Sequence, residues 1–168
     1  MKVLATSSAS AARRPKSKLW RDLLSRRSPL AFLYSFDAIE RVELVKQGVP
    51  ASLLVLISED MAISKDKLYS TLGLARATVN RKLREQQVLN QDESERVLGI
   101  ARLVGQVDQI VKESGNPQNF DAAKWVAAWL ARPQPALGGK RPAELMDTAD
   151  GRSIVSDLIA RMQSGAYA

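Results

Sequence analysis

Residues 64–87 read SKDKLYSTLGLARATVNRKLREQQ, and the fold turns on how this stretch is taken. Ser64 is a good N-cap, and Gly73 is a good stop after Leu72. A second helix is expected from about Ala75 to Gln87. Leu68 and Leu72 share a face of the first helix, Leu74 falls in the turn, and Val79 and Leu83 share a face of the second. Each helix therefore has an apolar side to turn toward the other. Two helices joined by a tight glycine turn form a helix-turn-helix. The outward positions of the second helix are Arg76, Thr78, Asn80, Arg81 and Arg84. Arginine suits guanine, asparagine suits adenine, and threonine suits a phosphate or a thymine methyl, so these five are the candidate DNA-binding residues. An αα-hairpin that never meets DNA can share the glycine turn and the arginine-rich face, so spacing alone leaves DNA contact open. Tyr69 stands where such motifs usually place a small residue against the partner helix, which bears on the crossing geometry.

Upstream, Pro50 fits the first turn of a helix carrying Leu53, Leu54, Leu56 and Ile57. Asp37 can cap a helix through Ile39, Val42, Leu44 and Val45 that ends at Gly48. Trp20, Leu23 and Leu24 have helical spacing, but flanking charges weaken it. Residues 1–17 are small, basic and contain Pro15, so they are expected to be disordered. Net charge is +7. Residues 1–27 hold eight Lys and Arg against Asp22 alone, which leaves 17 basic and 17 acidic residues for a neutral remainder. A basic arm over residues 1–30 either tracks phosphates or is a solvated tail.

Downstream, Asn90 with Glu93 three residues on makes a capping box for a long helix, roughly Asp92 to Ser114. Val97, Ile100, Ala101, Val104, Val107 and Val111 form one stripe, widened by Leu103 and Ile110. Such girth means a core helix or a dimer seam. Gly115, Asn116 and Pro117 end it. Trp125, Val126, Trp129 and Leu130 then mark a shorter helix with a tryptophan pair expected in the core. Pro133, Pro135 and Gly138–Gly139 punctuate the next stretch, and Pro142 starts a single turn. Asp147 or Thr148 caps the last helix, whose stripe is Ile154, Val155, Leu158, Ile159 and Met162, with Gly165 as its stop. With no convincing strand, the fold class expected is all-α.

The chain has 168 residues, no cysteine and no histidine. Disulfides, thiolate sites, histidine acid–base chemistry and histidine-bound zinc are thereby excluded. No stretch is apolar enough to span a bilayer, and a soluble, cytoplasmic protein is expected. Gly138-Gly139-Lys140 is not a phosphate loop: Arg141 follows the lysine and Gln134 occupies the first glycine position. Glu93 and Glu95, two apart on a helix, point to different faces and make no acid–base dyad. No catalytic set remains, and no cofactor or metal is implied.

Four groups of residues together resemble one family. They are Leu72-Gly73-Leu74 with Thr78-Val79-Asn80-Arg81-Lys82, and Leu89 with Glu93-Ser94-Glu95-Arg96 and Ile100-Ala101-Arg102-Leu103. The others are Trp129-Leu130 and Pro133 with Ala136-Leu137-Gly138-Gly139-Lys140 and Pro142, and Leu145-Met146-Asp147-Thr148 with Gly151, Val155, Leu158, Ile159 and the closing Gly165-Ala166-Tyr167-Ala168. In order and spacing they resemble the Xre/MbcA/ParS antitoxins, partners of RES-domain toxins in bacterial type II toxin–antitoxin pairs. The resemblance covers roughly Asp37 to Ala168 and leaves the basic arm without a role.

The resemblance implies three regions: an arm over 1–30, an Xre-like helix-turn-helix domain over 31–90 and a toxin-binding domain over 91–168. It implies an antitoxin that covers the active site of a RES-type, NAD-consuming toxin and binds promoter DNA in complex with it. The candidate toxin-binding residues are Leu137, Gly138, Gly139, Lys140, Met162, Ser164, Gly165, Ala166, Tyr167 and Ala168, where the Tyr167 ring and the Ala168 carboxylate suit a site built for an anionic dinucleotide. A homodimer within a larger complex is expected. Two other classes compete: a stand-alone helix-turn-helix regulator with a dimerising C-terminal domain, and a helical scaffold or enzyme with an unrecognised site.

Overall fold

The structure is a computed structural model that describes residues 18–25, 29–115 and 117–163. Local signals place most elements. Helices α1 (Lys18–Leu24) and α2 (Pro29–Tyr34) come first. α3 (Ala38–Gln47) starts at the Asp37 capping box with Glu40, both bonds being 2.8 Å. α4 is Ser52–Asp60, α5 is Lys65–Thr71 and α6 is Arg76–Arg84. α7 (Gln91–Glu113) runs 23 residues from the Asn90–Glu93 capping box, about 35 Å. α8 (Ala122–Leu130) is capped by Asp121. Two 3₁₀ turns, Pro135–Leu137 and Pro142–Leu145, lead to α9 (Ala149–Gln163). Among the described residues there is no strand, only an isolated bridge between Pro50 and Val88. The fold is all-α.

α7 is the spine. α2, α3, α8 and α9 all pack on it, and α4 lies against α5 and α8. Val97, Leu98, Ile100, Ala101, Leu103, Val104 and Val107 of α7 are buried inside this one chain. Burial of each large side chain is worth roughly 1.5–3 kcal/mol. The core-helix alternative therefore holds for the stripe from Val97 to Val107, which the chain's own helices cover, while Ile110 and Val111 are half-buried. α2 comes so close that a Cβ on Gly105 would stand 2.3 Å from the Tyr34 Cβ.

The link from α3 to α4 is tied to the segment entering α7. Leu89 N–H donates to the Val49 carbonyl at 2.7 Å, and Ala51 N–H donates to the Gln87 carbonyl at 3.1 Å. Val49 N–H also donates to Ser94 Oγ at 3.0 Å, deep in the core. Gly48 has φ +86, and a Cβ there would meet the Leu89 carbonyl oxygen at 2.8 Å, so both conformation and space demand glycine.

Several expectations need correction. Pro50 lies ahead of α4 rather than in its first turn: Val49 and Ala51 on either side of it bond to Leu89 and Gln87 across the bridge, and the Pro50 carbonyl accepts from Leu53 N–H at 3.0 Å. The second helix of the pair stops at Arg84, short of Gln87, because Gln86 takes φ +53 and breaks the helical path. Lys18–Leu24 is helical and puts Trp20 and Leu23 in the core, so a loose basic arm does not extend to residue 30. Residues 1–17 lie outside the described residues. On α9, Val155, Leu158 and Ile159 are buried, while Ile154 (48% exposed) and Met162 (40%) face outward. One face of α9 suffices to cover α7, so the predicted stripe is wider than the contact. Ile39 (73% exposed) and Val42 on α3 likewise face solvent.

Candidate functional site

The helix-turn-helix is present and its parts can be traced to residues. Ser64 Oγ accepts from Lys67 N–H at 3.1 Å and starts α5. Gly73 takes φ +61, and Leu74 N–H donates back to the Tyr69 carbonyl at 2.8 Å, closing the helix in a left-handed turn. Leu68, Leu72, Leu74 and Val79 are buried between the two helices and the core. Tyr69 is buried as well, and burial raises its phenol above the ordinary value. The large side chain at that position is absorbed by the core.

α6 presents Arg76, Asn80, Arg81 and Arg84 to solvent, and Thr78 is half-buried. Four of the five predicted DNA-binding residues thus share the open side of one helix, and Thr78 sits at its edge. Arg76 Nε lies 3.1 Å from Asp66, and Arg81 Nη1 lies 3.3 Å from Glu85. Both pairs are well exposed, so they are worth little and exchange readily for phosphate. α6 itself carries no acidic residue.

Sequence reasoning missed what holds α6 in place. Lys82, on its inner face, makes a buried ion pair with Glu93 at the start of α7. Glu93 Oε2 also accepts from Asn90 N–H at 2.8 Å, so one carboxylate caps α7 and anchors α6. The signal was available: Lys82 stands three residues after Val79, on its buried side. Arg96, one turn further along α7, donates to the carbonyls of Leu72 and Gly73 in the turn.

The second candidate surface lies on the C-terminal half. Trp125 stacks on Trp129 with centroids 5.9 Å apart and an interplanar angle of 10°. Trp129 is buried and Trp125 half-buried, so the pair is only partly core. The chain then closes a loop: Gln134 N–H donates to the Lys140 carbonyl and Gly139 N–H to the Gln134 carbonyl, each at 3.0 Å. Gly138 (φ +63) and Gly139 (φ +82) form its tip, with nothing within 4 Å of an added Cβ. Leu137, Gly138, Gly139 and Lys140 are thereby gathered on one projecting knuckle, with only Leu137 half-buried. Met162 is exposed on the last turn of α9. Ser164, Gly165, Ala166, Tyr167 and Ala168 lie outside the described residues.

α9 is fixed to α7 by polar contacts as well. Gln106 Nε2 donates to the Ser156 carbonyl at 3.0 Å, and Ser156 Oγ donates back to Gln106 Oε1 at 2.8 Å. Gly151, in the first turn of α9, lies against the Leu145 carbonyl, and Thr148 Oγ1 accepts its N–H at 3.1 Å. Between α3, α7 and α9 runs a groove of about 710 Å³ lined in part by Tyr34, Arg41, Val42, Arg102 and Arg152. Among the described residues no His, Cys, Asp and Glu group is placed to hold a metal ion, and no helix is long and apolar enough to cross a membrane.

Comparison with known proteins gives two matched regions. Residues 40–102 match the antitoxin Xre-like helix-turn-helix domain, and residues 118–165 match the antitoxin Xre/MbcA/ParS C-terminal toxin-binding domain. The first match runs past α6 into α7, and the second spans α8, the knuckle and all of α9. A Sphingobium protein named Prs ADP-ribosylating antitoxin is 42% identical over 142 residues, covering 83% of this chain and 89% of the relative. An antitoxin Xre of Yersinia enterocolitica is 28% identical, over 75% of this chain and 80% of its own length. An antitoxin Xre of Photorhabdus laumondii is also 28% identical, over 73% and 77%. The matched regions follow the order of the two surfaces the geometry separates, and the chain belongs to the Xre/MbcA/ParS antitoxin family, as an antitoxin of a toxin–antitoxin pair.

Proposed function

We propose that this antitoxin covers the active site of a cognate RES-type, NAD-consuming toxin with its C-terminal half and, with the toxin bound, represses its own promoter through α6. The observation that carries the reading is the separation of the two surfaces. A basic, acid-free recognition helix stands on one domain, and a glycine-tipped knuckle projects from the other. The printed name of the Sphingobium relative adds a chemical point. ADP-ribosylation breaks the nicotinamide–ribose bond of NAD, with nicotinamide leaving and the ribosyl carbon bonding to a protein nucleophile. Degradation breaks the same bond with water as acceptor. Either outcome requires a toxin site for NAD, and either is blocked by a plug.

The residues assigned to this contact are Leu137 to Lys140 on the knuckle, Met162 on α9 and Ser164–Ala168 beyond it. A homodimer is part of the reading; the large apolar side chains left exposed, Ile39, Val42 and Ile154 among them, support it. The test is co-expression with the neighbouring toxin gene while cellular NAD is measured. Full-length antitoxin is expected to preserve NAD. Removal of residues 165–168 is expected to release NAD loss without unfolding the protein. Full neutralisation by the truncated chain would remove the tail from the plug, and NAD preserved with toxin alone would overturn the toxin class.

A further inference from the structure

Arg96 belongs to α7, yet its guanidinium is bound to the helix-turn-helix. Nη1 donates to the Gly73 carbonyl at 2.9 Å and to the Leu72 carbonyl at 3.2 Å. Nη2 pairs with Asp92 at 2.8 Å. The two carbonyls are acceptors left open where α5 ends. A charged guanidinium nitrogen that satisfies both, held by the Asp92 pair on the other, fixes the turn, and the turn sets where α6 leaves.

The same turn is touched from the C-terminal half. A Cβ on Gly73 would lie 3.0 Å from Arg96 Nη1 and 3.0 Å from the Cβ of Asp147, two residues ahead of α9. Arg152 of α9 donates to the Met146 carbonyl at 3.2 Å and lies 3.8 Å from Glu95, the neighbour of Arg96. Its stem runs over Gly99, where a Cβ would meet Arg152 Cδ at 2.5 Å. The entry to α9, the first turns of α7 and the helix-turn-helix turn therefore meet at one point.

We propose that Arg96 is a positioning residue for DNA recognition, holding the turn from outside the helix-turn-helix. Through Asp147 and Arg152 the same contact links promoter reading to what binds the C-terminal half. The proposal rests on the reading of α6 as the recognition helix, and adds which residues aim it and how a bound toxin reaches it. Such coupling is reciprocal: whatever toxin binding does to promoter affinity, promoter DNA does to toxin affinity.

The test uses the full-length chain, alone and purified with its toxin. Binding to the fragment upstream of the gene is compared with binding to scrambled DNA at several salt concentrations. Arg96→Ala is expected to lower the promoter-over-scrambled ratio about tenfold. The salt slope, the affinity for scrambled DNA and toxin neutralisation stay as in the wild type, since Arg96 touches no phosphate. Arg96→Lys, a donor without the fork, recovers part of the ratio and carries the test should Arg96→Ala not fold. Arg152→Ala is expected to leave the ratio of free antitoxin within about twofold and to shrink the change in promoter affinity that the toxin causes. An unchanged ratio in both Arg96 variants overturns the positioning role. A salt slope reduced by about one overturns it too, because Arg96 would then be a phosphate contact. A toxin effect that is absent in the wild type, or equal in Arg152→Ala, overturns the link. A wild type without promoter preference overturns the reading of α6 itself, a result distinct from a preference that the variants leave intact.

Discussion

Lys82 and Glu93 are both about 8% exposed and face one another across the joint between α6 and α7. Removal of one partner leaves the other buried and unpaired, so Lys82→Ala is expected to cost about 3 kcal/mol in urea unfolding. The double change Lys82→Met with Glu93→Gln is expected to cost less than that single change. Equal costs would mean that the pair is not desolvated in solution. Gly151 makes a different demand. A Cβ there would stand 1.9 Å from the Leu145 carbonyl oxygen, backbone that cannot swing aside. Gly151→Ala is expected to destabilise by about 2–3 kcal/mol, and a thermal melt within a degree of wild type would exclude that contact. Of the two positions, Gly151 was legible only as part of a resemblance, and for Lys82 the spacing from Val79 signals the inward face but not the partner. Neither clash nor pairing leaves a local signature, because each depends on atoms of another element.

At the level of elements, caps were the most legible feature. Asp37, Ser64, Asn90 and Thr148 all cap where the sequence places them. Capping depends on side chains within three or four residues, so the chain carries its own instruction. Asp121 shows the consequence for α8. Its carboxyl accepts from Lys124 N–H at 3.0 Å and pairs with the Lys124 ammonium at 2.9 Å. The Lys124 side-chain bond, then its backbone N–H, hold the carboxyl below the ordinary value. A carboxyl depressed in the folded state stabilises above its unfolded pKa, about 3.9, and that stability fades as pH falls toward the lower folded value. Asp121→Ala is expected to cost about 1 kcal/mol at pH 7 and progressively less below pH 4; a pH-independent cost would rule out the charged cap. Faces were less legible than ends. The stripes of α3 and α9 both include residues that the fold leaves outside, because periodicity counts apolar side chains and does not say how wide the covering surface is.

For the whole molecule the two surfaces should separate by mutation. Arg76, Asn80 and Arg81 replaced together by Ala are expected to abolish the preference for the promoter and to lower the salt slope of the remaining binding by about 2, for the two arginines. Toxin neutralisation should persist, as read from NAD content; its loss would mean that α6 also serves the toxin contact. The order of helices, their ends, the all-α class and the arginine-bearing face of α6 all follow from neighbours a few residues apart, and these the chain states locally. Long-range choices are different in kind. That α7 is wrapped by its own chain from Val97 to Val107, that Ile39 and Ile154 stay outside, that Lys82 meets Glu93, and that Arg96 reaches the Gly73 turn all depend on which helices come to lie side by side. Those contacts bring together backbone and charge 11 to about 50 residues apart, and packing geometry, which no local pattern encodes, selects them.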